Sequence, residues 1–197
     1  RAAGQMQRLW RDIPADATPA DRAHALNVRS RIENYLAETE VASASANEAL
    51  AIATRNGDRA GRAEADLNLA LITVNQADMK GLVAVTSDAL ASLEGVDRPD
   101  LMSEAMLRAS MRYLRFGDLE QSVAMSVQGL EMARRSDSPR ALVYALQGMG
   151  ISFSTAGRHA QALEYFKQML TEARKVQPEI LAPTKCVRST EVAGSSD

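Results

Sequence analysis

The stretch AGRHAQALEYFKQMLTEARKV, Ala156 to Val176, decides the fold. Ala156 and Gly157 make a turn, after which Ala162, Leu163, Phe166, Met169 and Leu170 fall at i, i+1, i+4, i+7 and i+8 with charges between them. That spacing lays one apolar stripe along a helix. The pattern recurs at a step of forty residues: Gly157 falls on Gly117 and Ala77, Leu170 on Leu130, Leu90 and Leu50, and Ala145 on Ala105, Ala65 and Ala25. A fixed period of this length marks a repeat architecture, in which each unit buries its apolar face only by stacking on its neighbours.

Outward from this stretch, the punctuation repeats as well. Thr18-Pro19 pairs a capping hydroxyl with a proline at the first helical position, and Arg98-Pro99 and Ser138-Pro139 stand in the same column. Asp58-Arg59 keeps the capping side chain without the proline. Asn56-Gly57 and Glu94-Gly95 close the first two units. The reading is an all-α solenoid of four antiparallel helix pairs at 19–56, 57–96, 97–137 and 138–177. Residues 1–18 read as a partial repeat helix and linker, with Met6, Leu9, Trp10 and Ile13 as its packing face. Residues 178–197 read as a polar tail in which Ile180 and Leu181 are available to cover the open end of the last pair.

Composition agrees with close helix packing, since aromatics are only 4% of the chain and Ala and Leu carry much of its apolar content. Lys and Arg number 23 against 25 Asp and Glu, for a net charge of −2, so the basic excess that drives phosphate binding is missing and nucleic acid is not an expected partner. No apolar run approaches the roughly 20 residues that span a bilayer, and no signal-peptide core opens the chain, so no membrane partner is expected. The single cysteine, Cys186, has no disulfide mate, which fits a reducing, cytoplasmic setting. The chain opens on Arg1 and inside a repeat, and is expected to be a piece of something longer.

The units resemble the tetratricopeptide repeat, whose helix-turn-helix carries a small residue midway in the first helix, a glycine turn and an alanine early in the second. In the fourth unit Leu146, Met149, Gly150, Phe153, Gly157, His159, Ala162 and Phe166 occupy that family's signature positions in order. The third keeps Met106, Ala109, Ser110, Tyr113, Gly117, Leu119 and Ser122, and the second keeps Leu69, Ala70, Ala77 and Leu82. The first keeps little beyond Ser30 and Ala42. The family's usual unit has 34 residues, so this chain resembles its long-unit variant, as found in bacterial transcriptional regulators, peptide-sensing regulators and the input regions of signalling enzymes.

No enzyme is expected. His24 and His159 stand far apart, with His159 at a family packing position, and the chain has no His or Cys pair for a metal, no GxSxG and no phosphate loop. No cofactor follows from any motif. The resemblance implies binding of protein or peptide along the concave face, built by the first helix of each pair. Carried over by position, that face holds His24, Asn27, Arg31 and Tyr35, then Glu64, Leu67, Asn68, Leu71 and Asn75. Glu104, Leu107, Arg108, Met111 and Arg115 continue it, followed by Tyr144, Gln147, Ile151 and Thr155. The candidate partner-binding set is Asn68, Glu104, Arg108, Met111, Arg115, Tyr144 and Gln147. Asn68 and Arg108 match two positions of the family's carboxylate clamp, but Asn27, Arg31 and Glu104 depart from the other three, and Glu104 has the wrong charge for it. Arg108 and Arg115, seven apart and so on nearly one side of their helix, offer forked donors to carboxylates, with Tyr144, Leu107 and Met111 as apolar contact between them. The expectation is therefore an extended segment with an acidic residue beside an apolar one, lying across units three and four. The plainer reading of Glu104 and Arg108, four apart, is a solvated pair worth a few tenths of a kcal/mol. In function the chain reads as an interaction scaffold, the regulatory or sensory module of a larger bacterial signalling protein. The alternative is a receptor for a peptide or small effector that changes the curvature of the solenoid.

Overall fold

The computed structural model describes residues 16–176, and among them every regular element is an α-helix. They are α1 (Pro19–Tyr35), α2 (Thr39–Arg55), α3 (Arg59–Asn75), α4 (Met79–Leu93), α5 (Pro99–Arg115), α6 (Leu119–Arg135), α7 (Pro139–Thr155) and α8 (His159–Val176). The expectations for Met6, Leu9, Trp10 and Ile13, and for Ile180, Leu181 and Cys186, lie outside the described residues.

Local chemistry sets the helix starts. The Thr18 hydroxyl accepts from the Asp21 amide while the Asp21 carboxylate accepts from the Thr18 amide, a complete capping box ahead of Pro19. Asp58, Asp78, Asp118 and Ser138 cap α3, α4, α6 and α7 through one side-chain acceptor each. Arg98 gives α5 no such cap, and its guanidinium holds both oxygens of Asp100 at 2.8 Å. The turns inside the four pairs put one residue each in the left-handed region: Ala37 at φ 61°, Ala77 at 58°, Gly117 at 79° and Gly157 at 75°. Glycine adopts this conformation freely and alanine does not, so the first two units hold the turn under strain.

The pairs stack through three apolar clusters. Leu26, Ala49 and Ala65 join pairs one and two, while Ala63, Leu67, Ala89, Leu93, Leu101 and Ala105 join pairs two and three. Between pairs three and four lie Leu130, Ala133, Ala141, Ala145, Leu146 and Met149, with Phe153 and Ala162 inside pair four. Small residues set the approach. A Cβ on Gly150 would stand 2.5 Å from the Phe166 ring, and one on Gly148 equally close to Leu107 across the repeat boundary. Successive first helices touch (α1 with α3, α3 with α5, α5 with α7), whereas no two second helices do. That difference puts the first helices on the inner, crowded side and splays the second helices outward. The chain is thus an all-α repeat solenoid, and its inner face is built by α1, α3, α5 and α7.

Candidate protein-interaction face

Polar side chains on the inner face are mostly spent on one another. Asn68, 2% exposed, donates from Nδ2 to the side-chain and backbone oxygens of Asn27 at 3.1 Å each, and Asn27 Nδ2 donates to the Gly61 carbonyl at 3.2 Å. Glu64, also buried, accepts from Arg31 Nη2 at 2.6 Å and pairs with His24 Nδ1 at 3.3 Å. One unit later in the same column, Glu104 accepts from Arg108 Nη2 at 3.1 Å and from Arg140 Nη2 at 3.2 Å. Burying a carboxylate is tolerable only with such donors.

These contacts correct the sequence reading of Asn68 and Arg108 as surface ligands. Arg108 is 6% exposed; its Nη1 reaches the Met111 sulfur at 3.7 Å and its Nε lacks a hydrogen-bond partner among the described residues. The Glu104–Arg108 pair exists, but it is largely desolvated and shared with Arg140, not a solvated surface pair. Asn68 has its amide group committed to Asn27. His159, placed by sequence at a packing position, is the exposed first residue of α8.

The rest of the candidate set faces outward. Arg115 is exposed at the end of α5, with no ion pair among the described residues. Met111 is half-buried beside Arg108, Gln147 is exposed, and Tyr144 is 44% exposed with the Arg140 guanidinium 5.8 Å from its ring centre. Below Tyr144, Asp100, Ser103, Glu104 and Arg140 line a crevice of about 10 Å³, the room of one water. Burial and the charge and hydrogen bonds of Arg98 pull oppositely on Asp100, and the Arg98 bond wins, holding that carboxyl below its usual range. A wider depression of about 350 Å³ lies elsewhere, on the groove between α6, α7 and α8, with Leu142 and Leu146 at its base and Arg134, Glu164 and Lys167 around it. Among the described residues no group of three His, Cys, Asp or Glu side chains is placed to hold a metal ion.

Two polar features escaped the sequence reading. Ser110, Ser122, Ser126 and Ser152 bring their buried hydroxyls together where α5, α6 and α7 meet. Around the ring 110–126–152–122 the oxygen distances are 2.7, 2.9, 3.1 and 3.1 Å. Each hydroxyl can donate once and accept once, so the ring satisfies itself. The second is Asp66, 3% exposed, whose Oδ2 has no hydrogen-bond partner among the described residues. Its column otherwise holds Leu26, Met106 and Leu146, a mismatch visible at the forty-residue step.

No protein-family model matches the chain, and no curated protein matches it. Solved structures do. The chain is similar to BtubC (BKLC) from P. vanneervenii at 14% identity and a TM-score of 0.62, covering 98% of this chain and 81% of that one. It is similar to the apo form of RapI at 15% identity and a TM-score of 0.60, over 81% of this chain but only 45% of the RapI chain. MamA is matched at 16% identity and a TM-score of 0.50, with 92% and 90% covered. At such identities the likeness is one of fold, and the fold is that of a tetratricopeptide-like helical solenoid.

Proposed function

We propose that the chain is a protein-interaction scaffold that takes an extended peptide segment along the inner face of pairs three and four. The observation that carries this reading is the contrast on that face. Glu104 and Arg108 are locked in a desolvated network, while on the same two first helices Arg115, Tyr144 and Gln147 are exposed and Met111 and Ile151 half-buried. The locked residues hold the floor in one shape, so contacts to the free ones cost little ordering. Arg115 offers a forked donor to a carboxylate, and Met111, Tyr144 and Ile151 offer apolar surface. The segment that fits is one with an acidic residue beside an apolar one. A crevice with room for one water favours this over a small effector on the same face.

The finer role, as the regulatory or sensory module of a larger bacterial signalling protein, rests on the resemblance of the forty-residue units to those of such proteins. Selection of short peptides from a displayed random library on the intact chain tests the binding reading. Acid-plus-apolar sequences should be enriched, and they should lose binding to Arg115→Ala/Tyr144→Ala/Gln147→Ala with helicity unchanged. Enriched peptides that bind the triple variant undiminished would move the site off this face.

A further inference from the structure

We propose that the solenoid bends at the joint between the second and third pairs, so that pairs one and two form one stiff arm and pairs three and four another. Polar fastening across the three joints is uneven. Pairs one and two are tied by Asn27–Gly61, Asn27–Asn68, Arg31–Glu64, His24–Glu64 and Asn34–Asn75. Pairs three and four are tied by Arg140–Glu104 and by the Ser152 hydroxyl, which joins Ser110, Ser122 and Ser126. Between pairs two and three, whose residues are all described, no side-chain hydrogen bond and no ion pair within 4 Å is formed; that joint is the apolar cluster around Leu67, Leu93 and Leu101. Apolar contacts are non-directional and tolerate sliding, whereas paired amides and guanidiniums fix a register.

The sequence shows why the ties are missing. The columns that hold Asn27, Arg31 and Asn34 in pair one hold Leu67, Leu71 and Val74 in pair two, which can neither donate to Glu104 nor accept from Arg108 or Arg115. The column of Arg140, which meets Glu104 across the last joint, holds Asp100 in pair three, so the cation that could answer Glu64 at the middle joint is replaced by an anion. Arg98 feels the charge of Glu64 but spends its guanidinium on Asp100. In the column of Ser126, which helps the serine ring close the last joint, pair two holds Thr86, whose buried hydroxyl has no partner among the described residues.

The connection is soft as well. α4 is the shortest of the described helices, 15 residues against 17 or 18, because Gly95 at φ 71° stands where the other second helices carry Arg55, Arg135 and Lys175. Nothing lies within 4 Å of the place where its Cβ would be. The next helix then starts without a side-chain cap at Arg98. A glycine in open space followed by an uncapped start can absorb a change of backbone angles with little loss, as hinges require.

Spin labels read the arms directly. Glu48, Asp88, Gln128 and Gln168 are exposed and stand forty residues apart on α2, α4, α6 and α8. With Cys186→Ser in the full chain, nitroxides go on the cysteine pairs 48/88, 88/128 and 128/168, and pulsed electron resonance gives each distance distribution. The 88/128 distribution should be about twice as wide as the other two, the signature of motion between rigid bodies. Equal widths overturn the hinge. Leu71→Arg then places a guanidinium toward Glu104 as Arg31 stands to Glu64, and should narrow 88/128 toward the width of 48/88. A width that persists with 48/88 unchanged overturns the missing ties as its cause.

Discussion

Replacing Asp66 by leucine should stabilise the protein at neutral pH and do so less in acid. The Asp66 carboxyl is buried on α3, Arg62 Nε stands 4.0 Å away, too far for a hydrogen bond, and Asp88 adds a like charge. Burial pushes its pKa from 3.8 to about 6, with Arg62 offsetting part of the rise. The folded protein therefore binds this proton more tightly than the unfolded chain does. The site costs nothing well below pH 3.8; its penalty grows between there and about pH 6 and levels off above. A shift of about two units corresponds to roughly 3 kcal/mol, and relaxation of the site around the charge brings that nearer about 2. Leucine, the residue at 26 and 146 in the same column, removes the charge and adds apolar burial of about 1.5 kcal/mol or more if it seats well. At about 2 to 4 °C per kcal/mol for a chain of this size, the melting temperature at pH 7.5 should rise by roughly 7 to 14 °C. Circular dichroism melts of parent, Asp66→Leu and Asp66→Asn from pH 4 to 7.5 separate the terms. The asparagine variant should match the pH dependence of the leucine variant without its packing gain. Melting curves of Asp66→Leu that track the parent at a constant offset across this range, or a lower melting temperature at neutral pH, would refute the argument.

Ala37→Gly and Ala77→Gly should each stabilise by about 0.5 to 1 kcal/mol, since both alanines sit at positive φ in the turn that Gly117 and Gly157 occupy downstream; urea midpoints would show it, and a loss at both sites would contradict the strain. Ala162→Phe should cost about 1 to 3 kcal/mol, because Ala162 is buried in pair four beneath Phe153 and Phe166; an unmoved melting temperature would mean the pair is not packed there. Ser152→Ala should cost about 1 to 3 kcal/mol by opening the ring to the chain 122–110–126, which leaves one buried O–H without an acceptor, whereas alanine at all four serines should cost well under the sum of the single changes. Strict additivity of the four would deny that the hydroxyls act as a ring.

The fold was legible because it depends on quantities a single sequence displays: the helical stripe, the turn residues and the forty-residue step that puts Gly157 over Gly117 and Leu170 over Leu130. The candidate face was legible only in part, because whether a side chain is free depends on what stands one unit away. Asn68 looks like a ligand until Asn27 is placed 41 residues before it, and Arg31 looks free until Glu64 is placed 33 residues after it. Ser110 reads as a small packing residue until Ser152, 42 residues on, turns it into a hydrogen-bond partner. In a solenoid with this period the neighbours on the inner face are the residues at those offsets, so the pairs were present in the sequence but hidden from a search along one helix at i+3 and i+4. The same offsets explain the face that remains. Applied from Met111 and Leu114 they lead to Tyr144 and Thr155, none of which can carry an ion pair to its neighbour, and Arg115 at the end of α5 has its charge unmatched among the described residues. A partner that brings a carboxylate to Arg115 and an apolar side chain to Met111 and Tyr144 would complete on pair three what Arg31 and Glu64 complete within the chain between pairs one and two.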